Sequence, residues 1–170
     1  INPFISASMD VFSTFAGIES SPGTPSVRTR PMTDKDINGF IGLNGHGING
    51  YFIINFSASF LGKILSSIFD HSQASTEELH DLAGELTNMI TGSAKAELSK
   101  NGFFFDVAVP KISQTAPQIP DDLKRNPIIV VPFDTQAGKF HIEASIQRIE
   151  EDFQQDTMPE VQAPKGSISV

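Results

Sequence analysis

The chain has 170 residues, a mass of 18.4 kDa and a formal net charge of −8. This length suits one domain, and a hydrophobic fraction of 39% predicts a packed core rather than a disordered chain. Because an acidic surface repels phosphate groups, neither nucleic acid nor a membrane is an expected partner. The chain has no cysteine, which excludes disulfides, thiol nucleophiles and cysteine metal sites.

The apolar runs are short. None approaches the roughly 20 residues that a membrane-spanning helix needs. The chain opens with Ile1-Asn2-Pro3 and lacks the basic segment of a secretory signal. We therefore expect a cytoplasmic protein.

The first part of the chain predicts a helix, a loop and an edge strand. Apolar residues recur at helical spacing over residues 3–17, and Gly17 suits a helix end. Serine, glycine and proline predict a loop over residues 20–25. We expect a short edge strand at residues 27–32, because Pro31 does not fit a central strand.

A hairpin and a short helix come next. Residues 37–43 and 51–56 are rich in β-branched and aromatic side chains, which favour strands. The glycines and asparagines of residues 44–50 predict the turn between them. Ser57 or Ser59 is the expected N-cap of a helix over residues 60–69.

A long helix is predicted from Glu77 to Lys100. Ser75 or Thr76 is its expected N-cap, with only a partial capping box. Asn101-Gly102 predicts its end, since glycine adopts the left-handed conformation found there.

The last part of the chain predicts three strands and a tail. We expect strands at residues 103–109, 128–133 and 139–147, with a loop at 116–120 and a turn at 135–138 between the last two strands. In the last strand apolar and polar residues alternate, which predicts one buried face and one polar face. The polar set is His141, Glu143, Ser145 and Gln147.

Together these elements predict an α+β fold, in which an antiparallel sheet built from hairpins carries helices packed on one face. Residues 1–156 are expected to form a single domain. Residues 157–170 are poor in core-forming side chains and predict a loose C-terminal tail.

The long helix predicts an exposed polar stripe. Its members fall within roughly 60° of one another on the helix circumference; they are Asp81, Glu85, Asn88 and Gly92. Apolar residues cluster on the other side and predict the buried face; they are Leu79, Leu82, Leu86, Met89 and Ile90. An acid and an amide at i and i+3 can contact one object together. Periodicity alone favours an ordinary solvated helix face, because two such residues at i and i+3 often occur by chance.

The residues of this helix carry a family resemblance. Asp81-x-x-x-Glu85-x-x-Asn88, with Pro110 about twenty residues further on, resembles the signature of the CheC/CheX/FliY phosphatases of bacterial chemotaxis. Residues 84–95 (GELTNMITGSAK) are most similar to CheX. The order of the elements is similar to that family across nearly the whole chain, so the resemblance also supports the fold.

The resemblance implies a reaction and a partner. The substrate would be the aspartyl phosphate of a CheY-type receiver domain. Asn88 would orient the attacking water, and Glu85 would pair with the receiver's lysine. Asp81 and Gly92 would belong to the docking surface, Asp81 by adding charge and Gly92 by leaving it bare. No cofactor would be held by this chain, since Mg²⁺ is expected on the receiver.

One departure from the family bears on the number of sites. CheC carries two such motifs, whereas the first predicted helix here has Asp10-x-x-Ser13 in the equivalent place. A second catalytic centre is therefore not expected, and CheX also has a single motif.

Association and alternative functions remain open at this level. The resemblance implies a homodimer, and we expect it to use the strand at 139–147 as a free sheet edge. A non-catalytic receiver-binding module and a purely structural dimer are the alternative interpretations. Two other patterns predict no site: Gly45-x-Gly47-x-x-Gly50 is followed by a strand instead of a helix, and no two histidines stand at i and i+4.

Overall fold

A computed structural model describes residues 1–29, 36–45, 48–69 and 74–149. The helices in these ranges are α1 (Asn2–Ala16), α2 (Ala58–Phe69) and α3 (Thr76–Lys100). The strands are β1 (Ser20–Pro22), β2 (Ser26–Arg28), β3 (Ile37–Gly45), β4 (Ile48–Phe56), β5 (Phe105–Val107), β6 (Lys111–Ser113), β7 (Ile128–Thr135) and β8 (Gly138–Arg148). Within the described ranges no helix has both the length and the hydropathy that crossing a bilayer requires.

The strands form one antiparallel sheet in the order β1-β7-β8-β4-β3-β5. The short strand β2 also pairs with β7, and β6 also pairs with β3. Two hairpins build the centre: β3 pairs with β4, and β7 pairs with β8 through a tight turn. The α+β prediction of an antiparallel sheet made from hairpins is confirmed.

The three helices cover one face of this sheet and enclose the main core. An aromatic cluster ties the helices to the strands, with ring centroids 4.5 Å apart for Phe12–Phe140 and 4.6 Å apart for Phe133–Phe140. Phe60 of α2 joins the cluster through Phe140 at 5.6 Å. Burial of these large rings stabilises the packing of the helices on this face.

The helix ends follow their capping residues. Gly17 has a φ of 62° directly after α1, as expected for a helix-terminating glycine. Ser57 caps α2, since its Oγ accepts a hydrogen bond from the Phe60 N–H at 3.2 Å. Ser59, the other candidate, lies within α2. After α3, Gly102 has a φ of 83°, and the Phe103 N–H donates to the Leu98 carbonyl at 3.0 Å.

The opposite face of the sheet carries a second, smaller core. Tyr51, Ile53 and Val130 project from the strands and pack against Leu123, which comes from the segment between β6 and β7. Burial, and secondarily the nearby Glu143 carboxylate, raise the pKa of Tyr51 above its ordinary value. The segment that joins β6 to β7 therefore shields part of this face from water.

This second core corrects the prediction for the last strand. Glu143 and Ser145 are buried, at 0% and 1% exposure, and His141 is only partly exposed. Their face was expected to be solvated because the alternation shows only which residues share a face. Ile146, expected to be buried, is 44% exposed. The Glu143 carboxylate accepts a hydrogen bond from the Asn55 side-chain amide at 3.2 Å.

Several boundaries also differ from the predictions. The turn predicted over residues 44–50 is shorter, because β3 extends to Gly45 and β4 begins at Ile48. The predicted loop at residues 20–25 contains β1, which pairs with β7. The strand expected at 103–109 is shortened to β5, and β6 follows it without a sequence signal. Of the edge strand expected at 27–32, the structure shows β2 up to Arg28, and residues 30–32 lie outside the described ranges.

The predicted free edge of the last strand is wrong. β8 is paired on both sides, with β4 and with β7, so it lies inside the sheet. The predicted tail at residues 157–170 lies outside the described residues.

Candidate functional site

Helix α3 presents the candidate site, and its N-terminus is fixed by a full capping box. The Ser75 Oγ accepts from the Glu78 N–H at 3.2 Å, while the Glu78 carboxylate accepts from the Ser75 N–H at 2.7 Å. The sequence predicted only a partial box. Two glutamates in the first turn also complement the positive end of the helix dipole. The start of α3 is thereby fixed close to the site.

All four residues of the predicted polar stripe are exposed: Asp81, Glu85, Asn88 and Gly92. Leu82, Leu86 and Ile90 on the other side of the helix are buried in the main core. The predicted orientation of α3 is confirmed. We refer to these four exposed residues as the polar stripe.

The side chains of the polar stripe are available to a partner. Within the described part of the chain, Asp81, Glu85 and Asn88 form no side-chain hydrogen bond or ion pair. A Cβ atom placed on Gly92 would meet no atom within 4 Å. The stripe therefore combines carboxylate acceptors, an amide that both donates and accepts, and a bare stretch of helix backbone.

The opposite side of α3 sits very close to the sheet. A Cβ atom built on Gly39 of β3 would lie only 2.0 Å from the Thr87 Oγ1. Thr87 is buried, and its hydroxyl donates to the Ala83 carbonyl at 2.6 Å. Asn88 directly follows Thr87 in α3. The contact of Thr87 with Gly39 therefore determines how far the polar stripe lies from the sheet.

An open groove borders the N-terminal half of the polar stripe. It has a volume of about 570 Å³ and lies between α1, α2 and α3. The described lining residues are Phe15, Leu65, Phe69, Ala74, Glu78, Asp81, Leu82 and Glu85. The sequence did not predict this groove, because its shape depends on how three helices pack. We call it the α1–α3 groove.

The glycine pattern at residues 45–50 has a structural role in the sheet. A Cβ atom on Gly45 would approach the Phe104 carbonyl oxygen to within 2.4 Å, and one on Gly50 would approach the Ser145 oxygen to within 2.3 Å. Both residues lie in paired strands. Close contact with neighbouring backbone accounts for these glycines; Gly47 lies outside the described residues.

Comparison with known families decides where the chain belongs. The model of the family described as "Chemotaxis phosphatase CheX" matches residues 37–134, more than half of the chain.

The chain belongs to the CheX family.

Solved structures of this family have the same fold. A CheC-like superfamily protein from Shewanella sp. PV-4 is 32% identical, with a TM-score of 0.75 over 86% of this chain and 96% of that one. The chemotaxis protein CheX from Vibrio vulnificus is 31% identical, with a TM-score of 0.74 over 86% and 98%. No curated protein sequence matches the chain.

A more distant structure shares the fold alone. It is the CheX–CheY–BeF₃–Mg²⁺ complex from Borrelia burgdorferi, 21% identical, with a TM-score of 0.66 over 86% of this chain and 97% of that one. The family match covers α3 and the polar stripe, so the resemblance predicted from residues 81–95 is confirmed at the level of the family.

Proposed function

We propose that this CheX-family protein hydrolyses the aspartyl phosphate of a CheY-type receiver domain. The observation that carries the proposal is the exposed pair Glu85 and Asn88, one turn apart on α3 and engaged by no other described residue. The family is one of chemotaxis phosphatases. The related Borrelia structure was solved as a complex with CheY, which supports a receiver as the partner.

An amide and a carboxylate suit this reaction. An acyl phosphate is already activated, so the phosphatase has to position a water in line with the scissile bond. Asn88 can accept a hydrogen bond from that water and donate one to a phosphoryl oxygen, and it is itself a poor nucleophile. Glu85 would accept a hydrogen bond from the receiver's lysine, which holds the helix in register with the phosphoryl group.

We propose that Mg²⁺ is held by the receiver. Among the described residues, no group of three His, Asp or Glu side chains is arranged to hold one. Mg²⁺ bound by the receiver would supply charge relief at the phosphoryl oxygens. The groups contributed by α3 then need only to bind, orient and exclude competing water.

The test is the decay rate of receiver phosphate with catalytic amounts of the protein. We expect wild type to accelerate decay and Asn88→Ala to lose about 10²–10³ in rate, because a positioned polar group is removed from the transition state. Asn88→Asp should fail too, since the new carboxylate repels the phosphoryl oxygens. Because Asn88 is exposed, the free energy of unfolding of both variants should lie within about 0.5 kcal/mol of the wild-type value.

The controls separate the alternatives. Receiver alone gives the spontaneous rate, and binding of the variants to the receiver shows whether docking is intact. A wild type that binds the receiver without accelerating decay would leave only a receiver-binding module. Equal rates for wild type and Asn88→Ala would place the chemistry at other residues.

A further inference from the structure

The α1–α3 groove has an apolar floor and one acidic wall. Phe15 of α1, Leu65 of α2 and Leu82 of α3 form the floor, and the more exposed Phe69 of α2 stands at its edge. The wall consists of three carboxylates on α3, namely Asp81, Glu85 and Glu78, and the Glu78 carboxylate also accepts a hydrogen bond from the Ser75 N–H. None of the described lining residues is basic. The groove therefore fits a ligand that presents an apolar group to the floor and a positive charge to the acidic wall.

Phe69 is more exposed than the other apolar residues that line the groove. It is 58% exposed at the end of α2, whereas Leu65, one turn earlier, is 9% exposed. Large aromatic side chains that stand at the mouth of a groove are the residue type that most often anchors a protein partner. Its ring offers apolar area that the main core does not use.

The groove is continuous with the polar stripe. Asp81 and Glu85 belong to both, since they line the groove and lie on the exposed face that carries Asn88. A partner seated on Asn88 through Glu85 is therefore already at the edge of the groove. The Asp81 and Glu85 carboxylates are complementary in charge to the lysine that is proposed to pair with Glu85.

We propose that the α1–α3 groove is the specificity subsite for the receiver. It takes an apolar side chain that stands beside the lysine paired with Glu85. This inference rests on the proposed function, because the occupant is the receiver that carries the phosphoryl group. The groove contributes affinity and selects among receivers, whereas Asn88 contributes the chemistry.

The decisive variant is Phe69→Ala, with Phe104→Ala as its matched control. Phe104 is 63% exposed, similar to Phe69. It lies beyond the C-terminus of α3, whereas Phe69 precedes the N-terminus of that helix. The probe is a CheY-type receiver from the same organism, phosphorylated for kinetics and charged with beryllofluoride and Mg²⁺ for equilibrium binding. We expect Phe69→Ala to raise KM and Kd about tenfold, as for a lost aromatic anchor, with kcat unchanged. Phe104→Ala should match wild type in all three.

The outcomes separate this inference from the proposed function. A wild type that is active, with Phe69→Ala indistinguishable from it in KM and Kd, overturns the subsite and leaves the phosphatase standing. A wild type that neither binds nor dephosphorylates the receiver overturns both. A fall in kcat for Phe69→Ala, with KM and Kd unchanged, also overturns the subsite, because a docking residue has no such effect. Thermal unfolding of both phenylalanine variants verifies that the fold is retained.

Discussion

In the proposed function, Glu85 contributes both to docking of the receiver and to its selection. Its carboxylate lies on the polar stripe and also lines the α1–α3 groove. A single change there should disturb the partner lysine and the acidic wall together. Asn88, one turn away, does not line the groove. The two residues are therefore separable by experiment.

We predict that Glu85→Lys weakens receiver binding at least tenfold and lowers activity with it. Like charges brought together across an interface cost several kcal/mol. Glu97→Lys is the matched control, because Glu97 is exposed on the same helix and the change in net charge is identical. Equilibrium binding to the beryllofluoride-charged receiver measures the effect. If both variants bind like wild type, the polar stripe is not the docking face.

At the residue scale, exposure could be predicted where periodicity alone decides it. The stripe from Asp81 to Gly92 was predicted correctly, since the leucines opposite it fix the orientation of α3. Glu143 was expected to face water and is buried. The alternation in β8 cannot indicate that the segment between β6 and β7 covers the sheet face opposite the helices. Phe69 was missed for a related reason, because the groove beside it forms from three separate helices.

The contact of α3 with β3 depends on a missing side chain. Gly39 is the third residue of β3, and Thr87 packs directly above it. The helix carrying the polar stripe can therefore approach the sheet more closely than any residue with a Cβ atom would allow. At the scale of elements, this contact determines where Glu85 and Asn88 stand.

We predict that Gly39→Ala destabilises the protein by about 1–3 kcal/mol, because overpacking forces helix and sheet apart. Gly42→Ala in the same strand is the control, since a Cβ atom there meets nothing within 4 Å. Urea unfolding measures both. Adding Thr87→Ala to Gly39→Ala should recover stability, as the shorter side chain removes the closest clash. A Gly39→Ala variant as stable as Gly42→Ala would contradict the close approach.

The elements that could be predicted are those with strong local sequence signals. The helices and the β3–β4 and β7–β8 hairpins were predicted from periodicity, caps and turn residues. β1 was not, because Ser20-Ser21-Pro22 has the composition of a loop and becomes a strand only by pairing with β7. β6 is similar: three residues pair with β3 although their sequence gives no local signal.

At the scale of the whole molecule, the two outer edges of the sheet, as far as the described residues show them, are the candidates for association. β8 is paired on both sides, so a partner strand cannot add there. Exposed valines mark the outer margins: Val27 on β2 is 70% exposed, and Val109 between β5 and β6 is 84% exposed. Short edge strands of this kind resist uncontrolled pairing and still permit specific pairing.

We propose a homodimer that uses one of these margins, and we predict a mass of twice 18.4 kDa by light scattering at micromolar concentration. Val27→Asp and Val109→Asp place a charge at each margin in turn. The variant that dissociates the dimer identifies the margin used, and the other is its control. A monomeric wild type would contradict the dimer, and a dimer that survives both changes would contradict pairing at the margins.

The buried Glu143 has a consequence for assembly of the sheet. Its carboxylate is held on the face away from the helices by Asn55 at 3.2 Å and lies 3.3 Å from the His141 Nε2. Its neighbours along β8, Ile142 and Ala144, point into the main core. If β8 paired one residue out of step, the carboxylate would be forced among phenylalanine rings, at a large desolvation cost. The Glu143 side chain thus disfavours shifted registers between β8 and its neighbouring strands.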